Sequence, residues 1–196
     1  MAIELVVGLG NPGMEYEATR HNIGFQIVDV VAKRLRAGRW ERRFLSDVAA
    51  AGRGRRVWLA KPRTYMNRSG SAVAELTAGL GVPPSAALIV VDDVDLPLGR
   101  IRIRPSGGPG THNGLRDIVA AVGTGFPRLR AGVGREGAPS GDLADFVLAP
   151  FEDDEAQRAE RLIERAADAV TISVFDGLER AMNRFNRTPL MQQPEE

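Results

Sequence analysis

Residues 87 to 95 read ALIVVDDVD, five consecutive apolar residues that run directly into a cluster of aspartates. An apolar run without alternation is typical of a strand that is buried on both faces of a sheet. The acids that follow then lie at the carboxyl end of a central strand, where open α/β sheets place their binding crevice. This segment therefore predicts a sheet with helices on both sides and a site at Asp92.

Segments of strand and helix character alternate around this strand. In 99–104 arginine alternates with isoleucine, as in a half-exposed or edge strand, and this indicates that the sheet is mixed rather than wholly parallel. We expect a single-domain α/β sandwich over residues 1–187, with a twisted mixed β-sheet flanked by helices. We expect a flexible tail over 188–196, which has two prolines and little apolar content. The other predicted strands are 3–9, 47–51, 57–60 and 128–133, and the predicted helices are 22–35, 67–80, 113–122 and a long C-terminal helix from Glu152 to about Phe185.

Composition excludes several classes of protein. The 196 residues are 43% apolar and 26% charged, which is ordinary for a globular domain. No stretch approaches the roughly 18 apolar residues of a membrane helix, and Glu4 lies where a signal peptide would be basic, so we expect a cytoplasmic protein. The absence of cysteine excludes a disulfide framework and a thiolate zinc site. With only two histidines, a metal cage is not expected.

Each of the two histidines is followed at once by an asparagine, as His21-Asn22 and His112-Asn113, where a loop turns into a predicted helix. The unperturbed pKa of histidine lies near neutrality, and an asparagine amide donates and accepts hydrogen bonds without charge. The pairs indicate proton transfer beside recognition of a neutral substrate. A His-Asn pair at a helix start can also be a structural cap.

Asp92 offers His21 a partner. If His21 opens the first helix, the Asp92 carboxylate can fix the imidazole tautomer and stabilise imidazolium. The end of the first strand delivers Asn11 to the same edge of the sheet. Because the chain has no cysteine and no G-x-S-x-G elbow, the natural nucleophile for such a base is water. Asp92, Asp93 and Asp95 could instead hold a divalent metal, although no other ligand cluster accompanies them.

A glycine-rich loop and a second motif are also candidate sites. Residues 8–13, GLGNPG, satisfy G-x-G-x-x-G, but Pro12 lacks an N–H for a pyrophosphate and the helix begins only near residue 22, so no cofactor is expected. Residues 61–70, KPRTYMNRSG, form a strand end, a turn and a helix start. There Tyr65 and Met66 offer an apolar surface, and Asn67 either grips a peptide group or caps the helix.

Four ordered segments across about residues 5–150 resemble the bacterial peptidyl-tRNA hydrolases: GLGNPGMEYEATRHNIGF, KPRTYMNRSG, DDVDLPLGRIRIRPSGGPGTHNGLRDI and FPRLRAGVGR. The resemblance implies a monomeric α/β enzyme without metal or cofactor. It implies peptidyl-tRNA as the substrate, cleaved at the ester that joins the peptide to the tRNA 3′ end, so that tRNA from aborted translation is recycled.

The resemblance also implies roles for matching positions. His21 resembles the general base and Asp92 its orienting acid. The groups that would position peptide, water and the developing oxyanion are Asn11, Asn67 and Asn113. The residues that would line the peptide channel are Tyr16 and Met66. The residues that would face tRNA are Arg102, Arg104, Arg128 and Arg130.

The chain departs from the family pattern at Thr111, because the family usually has Gly-Gly-His-Asn at this loop. Threonine does not easily take a positive φ, so either this position is β-like or the loop beside Asn113 has shifted. The loop 135–142, rich in Gly, Pro and Ser, is expected to be mobile.

The main alternative is a non-catalytic RNA-binding protein that keeps this fold. The presence of His21, Asp92 and the three asparagines favours the enzyme.

Overall fold

The computed structural model describes residues 2–52, 54–134 and 142–187. Most of the predicted loop 135–142 and the whole predicted tail 188–196 lie outside these residues. The strands are β1 (Leu5–Gly8), β2 (Glu41–Arg43), β3 (Ser46–Ala51), β4 (Val57–Pro62), β5 (Ala87–Pro97), β6 (Ile101–Arg104) and β7 (Arg128–Gly134). The α-helices are α1 (Ile23–Arg34), α2 (Ser69–Leu80), α3 (Asn113–Val122), α4 (Leu143–Leu148), α5 (Asp153–Phe175) and α6 (Leu178–Phe185).

The strands form one mixed sheet in the order β2-β3-β4-β1-β5-β7-β6. The four central strands, β4, β1, β5 and β7, run parallel, while β2 and β3 on one side and β6 on the other are antiparallel to their neighbours. In β6 buried isoleucines alternate with exposed arginines at the sheet edge. The α/β class and the mixed sheet are thus confirmed, and the carboxyl ends of β1, β4 and β5 meet at one edge.

Both faces of the sheet are covered by helices. The side chains of Leu88 and Val90 belong to the apolar cluster that contains residues of α1, α5 and α6. Ile89 and Val91, which alternate with them, belong to the cluster that contains residues of α2 and α3. Burial on both faces explains why the segment 87–91 shows no polar alternation.

The C-terminal helical region differs from the prediction of one continuous helix. It is interrupted at Gly177, whose φ of 100° lies in the region that favours glycine, and this residue redirects the chain into α6. Asn186, just after α6, accepts a hydrogen bond from the backbone nitrogen of Ile103 at 2.7 Å and donates one to its carbonyl at 3.0 Å. The break therefore lets the chain satisfy the backbone of the edge strand β6.

Two short elements, β2 and α4, were not predicted. β2 is exposed along its whole length and carries no apolar pattern.

None of the helices in the described part of the chain is long and apolar enough to cross a bilayer.

The start of α1 lies in direct contact with the sheet at Gly24. A Cβ atom there would fall 2.5 Å from the carbonyl oxygens of Leu9 and Val90, closer than real Cβ contacts. The absence of a side chain thus fixes how closely the residues just before α1, including His21, approach the ends of β1 and β5.

We expect Gly24→Ala to lower the free energy of unfolding by about 1–3 kcal/mol or more, because the new methyl group overlaps rigid backbone. The matched control is Gly38→Ala, where the nearest atom to an added Cβ is 3.7 Å away, and we expect no loss. Urea denaturation of both variants measures the difference. Equal stability of the two variants would contradict the close contact.

Candidate active site

A cleft of about 740 Å³ opens at the carboxyl edge of the sheet. Its walls come from the chain after β1, from residues of β5 and β7, from the starts of α2 and α3, and from helix α4. Sequence-distant motifs therefore converge on one opening, as expected for an α/β sheet. The predicted site residues that line it are Asn11, His21, Met66, Asn67, Asp92, Asn113 and Arg130.

His21 and Asp92 form a close pair at the base of this cleft. His21 lies in the 3₁₀ turn Arg20–Asn22 that leads into α1, and its Nδ1 is 2.8 Å from Oδ1 of Asp92. The Asp92 side chain is only 2% exposed, while that of His21 is 12% exposed. The opposite ring nitrogen, Nε2, has no hydrogen-bond partner among the described residues. It is therefore available as a base on the cleft side.

His112 binds the same carboxylate oxygen. Its Nε2 lies 3.0 Å from Oδ1 of Asp92, and its Nδ1 accepts a hydrogen bond from the backbone nitrogen of Leu115 at 3.2 Å. Because Nδ1 acts as acceptor, the ring proton of a neutral His112 must lie on Nε2. His112 thus caps α3 and anchors Asp92 together. No role for it was predicted beyond the His-Asn pairing, which was the one available signal.

These contacts determine the ionisation of Asp92. Burial alone raises the pKa of this carboxyl. The electrostatic attraction and hydrogen bonds of His112, followed by those of His21, outweigh burial and hold the pKa of Asp92 well below its usual range. The carboxylate therefore stays ionised at neutral pH and can stabilise an imidazolium on His21.

The same three side chains also form a candidate metal site by proximity. The ligand atoms of His21, Asp92 and His112 all lie within 4.8 Å of one another. A metal would need the lone pair of His112 Nε2, but that nitrogen carries the proton. Asp93 is directed elsewhere, with Oδ2 3.1 Å from Arg130 and Oδ1 accepting from the backbone of Asp95. The geometry therefore favours a hydrogen-bonded network over metal binding by the aspartate cluster.

Asn11 is held rigidly at the end of β1. Its Oδ1 accepts from the backbone nitrogen of Met66 at 2.7 Å. Its own backbone nitrogen and carbonyl are both bound by the side chain of Asn22, at 2.8 and 2.9 Å. Its amide nitrogen Nδ2 has no partner among the described residues and remains to donate into the cleft. Asn22, half of the first His-Asn pair, is thus a clamp on Asn11.

Asn67 and Asn113 lie on the rim of the cleft. Asn67 is exposed in the 3₁₀ turn Met66–Arg68, and Asn113 is the exposed first residue of α3. Beside Asn113, the positive φ of 62° falls on Gly110, and Thr111 does not adopt a positive φ. The loop therefore accommodates threonine without strain at that position.

Aromatic and aliphatic side chains form an apolar wall of the cleft. Tyr65, which is 56% exposed, lines the cleft beside Met66, and Leu143, Val147 and Leu148 of α4 also line it. Tyr16 lies in the 3₁₀ turn Met14–Tyr16 and is not among the residues that line this cleft. Its predicted contact with peptide therefore has no support from the cleft geometry, and Tyr65 occupies such a position instead.

The four predicted tRNA-facing arginines have different environments. Arg102 and Arg104 are exposed on β6. Arg130 lines the cleft and also donates to the carbonyl of Pro109 at 3.1 Å. Arg102 and Arg104 can present positive charge at the sheet edge, whereas the guanidinium of Arg130 is paired with Asp93 at 3.1 Å.

Arg128 departs from the prediction. It is 1% exposed and donates to the carbonyl oxygens of Gly107, Thr124 and Phe126. Burial, followed by repulsion from Arg130, lowers the pKa of Arg128 to about 10. Its guanidinium holds the glycine-rich loop, so this placement does not fit the predicted contact with tRNA.

Comparison with known proteins decides the family. The family profile described as peptidyl-tRNA hydrolase matches residues 5–193. The chain belongs to the peptidyl-tRNA hydrolase family. Among curated members, it is 49% identical to the peptidyl-tRNA hydrolase of Chloroflexus aurantiacus over 187 residues, covering 93% of this chain and 98% of the relative. It is 46% identical to that of Salinibacter ruber, covering 93% and 97%.

A solved peptidyl-tRNA hydrolase has the same architecture. The crystal structure of the enzyme from Acinetobacter baumannii superposes with a TM-score of 0.88 and 37% sequence identity, covering 95% of this chain and 96% of that one. The expected fold and the resemblance to peptidyl-tRNA hydrolases are therefore confirmed.

The shared acceptor on Asp92 predicts opposite tautomers for the two histidines. We expect the neutral ring of His21 to carry its proton on Nδ1 and the neutral ring of His112 to carry its proton on Nε2. Long-range ¹H–¹⁵N correlation spectra distinguish the two forms. In Asp92→Asn the preference of His21 for the Nδ1-protonated tautomer should weaken. His112 should keep its tautomer, because the backbone nitrogen of Leu115 still donates to its Nδ1. The same tautomer on both rings of the parent would contradict the network.

Proposed function

We propose that this chain hydrolyses the ester bond between a peptide and the 3′ end of tRNA, and so recycles tRNA from aborted translation. The observation that carries the proposal is His21, held through Nδ1 by the ionised Asp92, with Nε2 open to the cleft. We further propose that the enzyme acts as a monomer in the cytoplasm, where translation supplies its substrate.

In the proposed reaction His21 is the general base. Its Nε2 takes a proton from a water molecule, whose oxygen attacks the ester carbonyl to give a tetrahedral oxyanion. Asp92 stabilises the imidazolium formed in this step. When the intermediate collapses, the bond to the ribose oxygen breaks, and the imidazolium returns its proton to that oxygen. The products are a peptide with a free carboxyl group and tRNA with a free 3′ end.

Neutral amides suit the oxyanion because a carboxylate there would repel it. Asn11 is the best placed donor, since Asn22 and Met66 hold it while its Nδ2 remains free. A donor fixed before the reaction needs no reorganisation as charge develops, and one such donor is typically worth about 2.7–4 kcal/mol. Asn67 and Asn113, on the rim, are proposed to bind the peptide backbone and the acceptor end.

The two ends of the substrate would meet different surfaces. The exposed Arg102 and Arg104 are proposed to bind phosphates of tRNA, and Arg130, which is paired with Asp93 at the cleft, is proposed to add to the same basic surface. The apolar wall with Tyr65 is proposed to hold the first peptide residues by non-directional contact. The identity of the peptide side chains should therefore matter little.

We expect His21→Ala to lower kcat by about two to four orders of magnitude while substrate binding survives, because only the proton transfer is lost. The assay follows hydrolysis of an N-acetylated aminoacyl-tRNA, with free aminoacyl-tRNA as a substrate control. The matched control variant is Met14→Ala, a side chain that is 85% exposed and outside the cleft. A parent protein that binds this RNA without hydrolysing it would instead support the non-catalytic alternative.

The basic surface predicts a salt-dependent KM. We expect KM for peptidyl-tRNA to rise with salt. Arg104→Ala should reduce the slope of log KM against log salt by about one, because the variant loses one phosphate contact and binding then releases fewer counterions. Arg161→Ala, exposed on α5, is the control and should keep the parent slope. A KM that does not depend on salt would refute this surface.

A further inference from the structure

The two rim asparagines, Asn67 and Asn113, belong to different helix starts. Asn67 precedes α2, and Asn113 begins α3. The Oδ1 of Asn113 accepts a hydrogen bond from Arg116 of its own helix at 3.2 Å. Among the described residues, no hydrogen bond joins either amide to the His21–Asp92 pair. The separation of the two amides therefore depends on how α2 packs against α3.

A carboxylate in the second turn of α3 contacts the start of α2. Oδ2 of Asp117 accepts a hydrogen bond from the backbone nitrogen of Gly70, in the first turn of α2, at 2.6 Å. Arg68, which precedes α2, provides no side-chain cap. The first backbone N–H groups of a helix lack internal partners and favour negative charge. Asp117 thus supplies from α3 the cap that α2 lacks in its own sequence.

Two glycines bring the helices close enough for this bond. A side chain at Gly70 would overlap the carbonyl oxygen of Asp117, and a Cβ at Gly114 would lie 2.6 Å from Sδ of Met66. Gly70 follows Asn67 by three residues, and Gly114 follows Asn113 directly. Both close contacts, that of Gly70 with Asp117 and that of Gly114 with Met66, therefore lie within one helical turn of an asparagine.

The start of α3 is anchored independently of this contact. His112 caps α3 through the backbone of Leu115 and is bound to Asp92. Loss of the Asp117 bond would therefore loosen the start of α2 with Asn67, while Met66 stays bound to Asn11 and the His21–Asp92 pair stays in place.

We propose that Asp117 is a positioning residue for substrate binding: it fixes the separation of Asn67 and Asn113 by holding α2 against α3, and it takes no part in proton transfer. This inference rests on the proposed role of the two asparagines in binding the substrate. It assigns to Asp117 an effect on affinity that operates through Asn67.

The test compares Asp117→Asn with Glu75→Gln, the neutralisation of an exposed acid on α2. For Asp117→Asn we expect KM for N-acetylated aminoacyl-tRNA to rise about three- to tenfold, with kcat within about twofold of the parent. The pH dependence of kcat should keep its shape, because His21 and Asp92 are not displaced. Glu75→Gln should match the parent in all three measurements.

A double variant tests whether Asp117 acts through Asn67. If it does, adding Asp117→Asn to Asn67→Ala should raise KM by less than about twofold, since the positioned amide is already absent. Melting temperatures are measured for every variant, and Asp117→Glu, which keeps the charge but moves it, replaces Asp117→Asn if the latter does not fold.

Three results would overturn the inference. They are a lower melting temperature with the parent KM, a lower kcat with a shifted pH profile, and full additivity with Asn67→Ala. Failure of the proposed function looks different, because the parent itself would then show no turnover or Asn67→Ala would keep the parent KM.

Discussion

One carboxylate oxygen, Oδ1 of Asp92, accepts a hydrogen bond from each of the two histidine rings of the protein. Burying a charge is costly unless it is paired and hydrogen-bonded, and here two ring N–H donors meet that requirement. Each ring is also fixed by this bond, since His21 must donate from Nδ1 and His112 from Nε2. The interaction therefore sets the ionisation of Asp92, the free nitrogen of the base and the attachment of α3 to the central strand.

Contacts on several sides hold the His21–Asp92 pair in place. Asn22 clamps the backbone of Asn11, and Gly24 lets α1 reach the strand ends. On the other side of His21, Arg20 is buried, forms an ion pair with Glu155 and lies 4.5 Å from the ring centroid of Phe146. These bonds join the turn that carries His21 to the first strand, to α4 and to α5. The base is thus held by rigid elements, as precise proton transfer requires.

Much of the fold and part of the site could be predicted from local patterns. The apolar run 87–91 indicated a strand covered on both faces, and its carboxyl end indicated where Asp92 and His21 would meet. The buried guanidinium of Arg128 could not be predicted, because a solvent-facing arginine and one that binds loop carbonyls look alike in sequence. The same holds for the break at Gly177, since many helices contain glycine without ending there.

The sequence by itself determined the α/β class, most of the strand and helix positions, and the residue types that surround the cleft, because these follow from periodicity and motif order along the chain. Only the tertiary structure decided that His112 shares the oxygen of Asp92, that Asn22 clamps Asn11, and that Asp117 caps α2. Each of these contacts joins residues between 11 and 47 positions apart. Such pairings depend on how helices and strands pack, and local sequence patterns do not encode that packing.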